Sequence, residues 1–268
     1  MADAALRIEK GDGVGRIVLD RPDAKNALTI AMRDGIVDAV RDFRADDAVR
    51  AVLITGTGDA FCAGMDLSAS TVSQAGDRDF ATRRTSEALR VGVQTFIREL
   101  WELDKPTVAA VNGVAVGPGA HLALACDFVL VHAQTRFMWS FHRWGLVVDA
   151  GGAYLLPRLV GLARAKAIVM LGESITGADA VGTGLAYQCS DDAAALASDA
   201  DALVQRLANG PTRSLGLSKR LLNASLETDL PRALELEGHF QSLATTSPDL
   251  VEGMSAFREK RDAKFTGQ

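Results

Sequence analysis

The stretch TVAAVNGVAVGPGAHLALACDFVLV, residues 107–131, decides how the chain folds. It opens with an apolar strand, Thr107 to Val111, and breaks at Asn112-Gly113. It reaches Gly117-Pro118-Gly119, continues as the apolar run Ala120 to Cys126, and enters a second strand, Phe128 to Val131, after Asp127. The pattern reads as strand, glycine turn, buried helix, strand. Pro118 suits the first turn of that helix, where a backbone N–H lacks an intrahelical partner in any case. The glycines admit close approach to the backbone. The free N–H groups and partial positive charge of the helix start favour an anion, or a carbonyl oxygen becoming one. Glycine turns also precede many helices that hold no ligand. The dinucleotide pattern Gly-x-Gly-x-x-Gly, the P-loop and the Gly-x-Ser-x-Gly elbow are missing.

Flanking segments extend an α/β pattern in both directions. Leu6–Glu9 and Val14–Leu19 around Gly11-Asp12-Gly13 predict a hairpin. Thr29 is a candidate N-cap for a helix with an apolar stripe of Met32, Ile36, Ala39, Val40 and Phe43. Ala51 to Thr55 is a continuous apolar strand, as buried parallel strands are. Small residues follow from Phe61 to Ser68, a second glycine turn after a strand. Ser68 to Thr82 is polar and predicts a loop or frayed helix over a pocket. One long helix is expected from about Thr85 to Leu103, stopped by Lys105-Pro106. Further helices are expected at Ala163–Leu171 and near Ala178–Thr183, with a last strand at Leu185–Cys189. Beyond it the periodicity is helical throughout: Ala193–Ala208, Thr212–Ala224, Leu230–Ala244 and Asp249–Lys260.

Composition narrows the function. The 268 residues are 48% hydrophobic, ample for one large core. A net charge of −5 argues against bulk attraction to nucleic acid or acidic membrane. The three cysteines, Cys62, Cys126 and Cys189, lack metal spacing and fit reduced thiols in a cytoplasmic protein. No apolar run approaches the length of about 18 residues needed to span a bilayer, and Met1 to Lys10 has no signal core.

Taken together, these pieces resemble the crotonase superfamily, the enoyl-CoA hydratase/isomerase family. The resemblance is carried by Arg21-Pro22 with Asn26-Ala27-Leu28, by Phe61 to Leu67, and by Asn112-Gly113 through Asp127. Gly145 to Gly152, Leu156 to Gly161 and the helical tail complete it, so that nearly the whole chain is covered. It implies an α/β fold: a crotonase-like ββα spiral core over residues 1–200 and a C-terminal all-helical trimerisation region over 201–268. It also implies a homotrimer or dimer of trimers, a CoA-thioester substrate, and no cofactor beyond the coenzyme A of that substrate.

By resemblance, two backbone N–H groups hold the thioester oxygen, each worth about 3–4 kcal/mol in acyl transfer. The first maps to Met65. The second maps to Pro118, which has no N–H, so that Gly119 N–H or the helix dipole must substitute; alternatively, Pro118 only rigidifies the helix start. The two hydratase glutamate positions are occupied by His121 and Phe141, which puts paired-carboxylate hydration in doubt. His121 reads either as a base near neutral pH or as a hydrogen-bonded helix histidine. Asp149 sits at the position of the aspartate used by double-bond-shifting members, closest in motif to the phenylacetate-pathway isomerases. Apolar surroundings would raise its pKa and suit proton transfer; it could also cap a helix starting near Ala150. Substrate binding is expected at Ala24, Lys25, Ala63, Gly64, Asp66, Leu67, Gly117, Pro118, Phe141, Trp144 and Lys260, with Lys264 a further phosphate candidate. Phe137, Met138 and Trp139 would share the acyl pocket wall with Phe141 and Trp144. The leading expectation is an isomerase working through Asp149, with Met65, Gly119 and His121 beside it. The alternatives are an enoyl-CoA hydratase of fatty-acid oxidation and a non-catalytic acyl-CoA carrier.

Overall fold

A computed structural model describes residues 5–66 and 78–268, with the side chains of 78–84 excepted. Leu67, and the expected loop from Ser68 as far as residue 77, lie outside the described residues. Strands β1 (Leu6–Gly11) and β2 (Val14–Leu19) pair antiparallel from Leu6↔Leu19 to Gly11↔Val14. Asp12 and Gly13 join them with φ of 51° and 78°, the left-handed pair that matches the twist of a two-residue hairpin. Helix α1 (Ile30–Ala45) starts at Thr29, whose hydroxyl accepts from Met32 N–H at 3.1 Å, and the expected stripe is buried. Strands β3 (Ala51–Gly56) and β4 (Ala60–Cys62) follow.

The single long helix expected next is two: α2 (Arg78–Val91) and α3 (Val93–Trp101). They separate at Gly92, where a Cβ would fall 2.3 Å from Ala88 O and 2.6 Å from the Arg33 guanidinium. Periodicity does not report that break, which lies where the Arg33 side chain of α1 crowds the backbone.

Strand β5 (Thr107–Val111), β6 (Val114–Val116), α4 (Pro118–Leu124) and β7 (Phe128–His132) span the segment from residue 107, and β8 (Arg136–Met138) follows. A 3-10 turn, Phe141–Trp144, leads to α5 (Gly152–Val160). Helix α6 (Leu162–Lys166) passes into a π-turn, Ala167–Leu171, where one regular helix was expected. Strand β9 (Ile175–Thr176), α7 (Gly177–Ala180) and β10 (Gln188–Ser190) complete the core. Helices α8 (Ala193–Ala208), α9 (Thr212–Ser225), α10 (Leu230–Ala244) and α11 (Pro248–Glu259) follow the predicted bounds within two residues.

Two sheets result, in the orders β1-β2-β3-β5-β7-β10 and β4-β6-β8-β9. From β2 to β10 the larger sheet is parallel, and β4, β6 and β8 are parallel in the smaller one. Each step of the chain therefore lays one strand in the large sheet, one in the small sheet, and then a helical segment, which is the ββα spiral. Leu196, Ala200, Val204 and Ala208 of α8 pack on Val14, Leu53, Val108 and Leu130, covering one face of the large sheet. Helix α8 thus runs unbroken through residue 200 as part of the core. The other face meets the larger apolar cluster, with Phe43, Phe61, Phe96, Phe137 and Trp139. Lys219 of α9 reaches Asp127 Oδ2 and Leu100 O, both at 3.0 Å, and fixes the helical tail beneath the end of α4.

Candidate active site

The first turn of the site is clamped by Asn26. The residue is fully buried, and its φ of 55° places its amide between two segments. Its Oδ1 accepts from Arg21 N–H at 2.8 Å, and its Nδ2 donates to Thr57 O at 2.9 Å and Ala60 O at 2.7 Å. The loop is thereby held beside the residues after β4. Ala63 N–H donates to Lys25 O at 2.9 Å, Leu28 N–H to Gly64 O at 2.7 Å, and Asp66 N–H to Leu28 O at 2.9 Å. This is a parallel bridge between Leu28 and Met65, and in such a bridge the middle residue's own N–H points away from the partner strand. The Met65 N–H accordingly donates to no acceptor among the described residues. Asp66 is tied back by Arg21 at 2.5 Å.

The second turn lies against the first. Gly64, at φ 93°, holds a backbone conformation that side chains rarely adopt, and an added Cβ would sit tightly at 3.0 Å from Val116 O and in ordinary contact at 3.6 Å from Pro118 Cδ. A Cβ on Gly119 would meet Cys62 O at 2.4 Å and Cys62 Sγ at 2.7 Å. Gly117 is the N-cap of α4 at φ 49°, and the first intrahelical bond runs from His121 N–H to Gly117 O at 3.0 Å. Pro118 brings no donor, so Gly119 and Ala120 are the N–H groups of this turn without an intrahelical acceptor.

Behind α4 the two glutamate positions hold an aromatic pair. Phe141, 8% exposed, stacks on His121 with ring centroids 6.0 Å apart and borders Gly117. His121 is fully buried, and its Nε2 accepts from Trp139 Nε1 at 2.9 Å. Burial pushes its pKa down to about 3, opposed only in part by the Asp149 backbone carbonyl. Of the two readings of His121, the hydrogen bond expected of a helix histidine is present at Nε2, while Nδ1 has no partner among the described residues. Trp139 is the partner that sequence reasoning missed, assigned only to the pocket wall. Trp144, expected in that wall, is 66% exposed on the 3-10 turn and faces away from the core. One-residue positions in a short turn carry no periodicity that could have shown this.

Asp149 does not cap α5. The cap is Gly151, at φ 78°, and Asp149 contributes only its carbonyl, which accepts from Gly152 N–H at 2.8 Å. Ala150, at φ 45°, separates Asp149 from the cap, and no side chain caps the helix. The side chain is half-buried, its Oδ1 is buried with no hydrogen-bond partner, and desolvation raises its pKa. A cavity of about 810 Å³ opens between α3, α5 and α9, lined by charged residues such as Arg98, Glu102 and Arg220 as well as by Trp101, Gly151 and Leu155; neither Asp149 nor the two glycine turns line it. Gly151 and Leu155 join its wall to the Asp149 turn.

The remaining predicted residues lie further out. Ala24 ends a short 3-10 turn, Pro22–Ala24. Lys25 is exposed and pairs with Asp59 at 2.5 Å. Lys260 terminates α11 at φ 55°, and it and Lys264 are exposed, with no bond to either glycine turn. The structure therefore brings Ala63, Gly64, Met65, Gly117, Pro118, Gly119 and Phe141 together around two facing turns. His121 and Asp149 stand on the adjoining side, and the C-terminal lysines stand apart.

The enoyl-CoA hydratase/isomerase family model matches residues 9–268. The chain is 38% identical over 265 residues to the 1,2-epoxyphenylacetyl-CoA isomerase of Escherichia coli K12, covering 97% of each chain. It is 32% identical to the crotonyl-CoA hydratase of Syntrophomonas wolfei over 99% of each. Among solved structures, an enoyl-CoA hydratase of Bacillus anthracis superposes with a TM-score of 0.90 at 26% identity, covering 98% of this chain and 100% of that one.

Proposed function

The chain belongs to the enoyl-CoA hydratase/isomerase family, and from that premise we propose that it shifts a double bond in an enoyl-CoA by proton transfer through Asp149. The carboxylate removes a proton from one carbon, the electrons spread into the thioester as an enolate, and the proton returns to another carbon. The thioester oxygen sits between the facing turns, taking hydrogen bonds from Met65 N–H and from Gly119 N–H in place of the donor Pro118 lacks. Both groups are already oriented, so little reorganisation opposes the charge that develops there. Ala24, Lys25, Ala63, Gly64, Asp66, Leu67, Gly117 and Pro118 border the coenzyme. Lys25 exchanges a surface pair with Asp59, which is worth little, for a phosphate; Lys260 and Lys264 are further phosphate ligands from a neighbouring subunit.

The observation that carries this reading is the carboxyl of Asp149: uncapping, half-buried, raised in pKa and with one oxygen unpartnered. Hydration by two paired carboxylates has no counterpart, since His121 and Phe141 hold those places. An isosteric Asp149→Asn variant tests the role by the conversion of a 3-enoyl-CoA to its conjugated 2-enoyl isomer. General acid–base catalysis contributes about 10²–10⁴-fold, and a loss of that size is expected. Turnover equal to that of the parent protein would reject the assignment.

The helical tail supports assembly as a homotrimer or a dimer of trimers in the cytoplasm. Helix α10 buries none of its residues in the single chain, Leu230 is 70% exposed and Phe257 is 85% exposed. A solution mass three or six times that of one chain is expected from light scattering. A monomer at micromolar concentration would remove this part of the reading.

A further inference from the structure

Only two buried side-chain polar atoms lack a hydrogen-bond partner among the described residues: Nδ1 of His121 and Oδ1 of Asp149. They belong to touching segments. The Cβ that Gly152 lacks would fall 2.2 Å from His121 Nε2 and 2.7 Å from Val148 Cγ2, so the ring, Val148 and the start of α5 meet at one point. Asp149 lies between those two residues, and its backbone carbonyl acts on the ring. An orphaned buried polar group is costly, and two orphans in adjoining residues are accounted for together if one is a donor and the other an acceptor.

The bond from Trp139 settles which is which. The indole N–H can only donate, so Nε2 accepts, and the single proton of a neutral imidazole must sit on Nδ1. His121 thus offers a fixed, uncharged N–H donor in a segment that touches the Asp149 turn, where the backbone carbonyl acts on the ring and a carboxyl oxygen lacks a partner. No charged group competes: the perturbations of both residues come from burial and from backbone groups alone. The other titratable groups against α4 include Cys62, behind Gly119, and Cys126, whose thiol donates to Leu122 O, and burial pushes both thiols up to about 12. Glu99, on neighbouring α3, is held by Arg41 and Arg44.

We infer that His121 is a positioning residue that holds Oδ1 of Asp149 through one water and leaves Oδ2 to the substrate, with Trp139 locking the tautomer that can do so. The inference rests on Asp149 as the proton carrier. A carboxylate held by one oxygen keeps its other lone pairs aimed at carbon, and a donor without charge steadies the ionised form without forming an ion pair that would suppress its basicity.

The test is the pH profile of kcat/KM for three variants in the full-length protein. His121→Leu removes the donor, so the acid limb should move up by about one pH unit and activity at a pH on that limb should fall about tenfold. His121→Asn keeps an N–H near the place of Nδ1 and should recover most of that loss. Trp139→Phe frees the tautomer and should shift the limb in the same direction as His121→Leu. A His121→Leu profile superimposed on that of the parent, or an Asn variant as impaired as the Leu variant, overturns the proposal. Nitrogen-15 spectra of the parent protein supply a readout independent of activity: protonated Nδ1 and bare Nε2 are expected, and the opposite tautomer refutes the idea even if the Leu variant fails to fold. Full activity in Asp149→Asn would instead reject the underlying role of Asp149, and so separates the two failures.

Discussion

Replacing Gly152 by Ala adds one methyl group at the point where α4 and α5 touch. Gly152 is the first residue of α5, where Ala is ordinarily the better helix former by up to about 1 kcal/mol. In this fold the added Cβ would lie 2.2 Å from Nε2 and 2.3 Å from Cε1 of His121. Ordinary contact needs roughly 1 Å more, so the ring must retreat from a site already filled by Trp139 and Phe141. Overpacking of this kind costs about 1–3 kcal/mol. Retreat also breaks the 2.9 Å bond from Trp139, and a buried pair left unsatisfied costs about 1–3 kcal/mol more. The helix gain offsets little of this, so a net destabilisation of about 2–4 kcal/mol is expected. That is a fall of roughly 5–10 °C in Tm, measured by calorimetry at fixed protein concentration because assembly couples to stability. The decisive control is a double-mutant cycle with His121→Ala. With the ring gone, only the contact with Val148 Cγ2 at 2.7 Å remains, so the cost of Gly152→Ala should fall by more than half. Equal costs in both backgrounds, or no cost in the parent, would refute the reasoning.

Three further outcomes are expected. Asn26→Asp turns an acceptor toward Thr57 O and Ala60 O, where two donated bonds now hold the loop; a loss of at least about 3 kcal/mol in urea unfolding is expected, and a cost below 1 kcal/mol would show that the clamp matters little. Asp149→Asn should lose activity yet gain stability at neutral pH. Because burial raises the folded pKa above the ordinary 3.8, the carboxyl is tolerated below that value, and its cost grows as pH rises through the raised folded value; a stability difference that widens in acid would contradict this sign. Cys62 and Cys126 are buried with thiols pushed up to about 12, whereas Cys189 is partly exposed. A maleimide at mildly alkaline pH should modify Cys189 first in the native protein, with all three reacting only in denaturant.

The comparison of sequence with structure separates two kinds of information. Local chemistry was legible from the chain alone. The apolar period of α1, the hydroxyl of Thr29, the left-handed turn at Asp12-Gly13 and the proline-glycine start of α4 each act within a few residues, and each stands where expected. The family-defining residues were legible too, because they occur in a particular order along the chain. Strands β4, β6 and β8 of three residues each were not, since alternation cannot be read over so short a run. The break at Gly92, the exposure of Trp144, and the bond from Trp139 to His121 depend on which distant segments meet across the core. The same holds for Asp149. Its residue type and setting identified a proton carrier or a helix cap, and only the structure, with Ala150 at a positive φ and Gly151 taking the cap, left one carboxyl oxygen buried without a partner. Backbone and side-chain preferences within a few residues are written in sequence; which buried donor faces which buried acceptor is decided by packing between segments far apart along the chain.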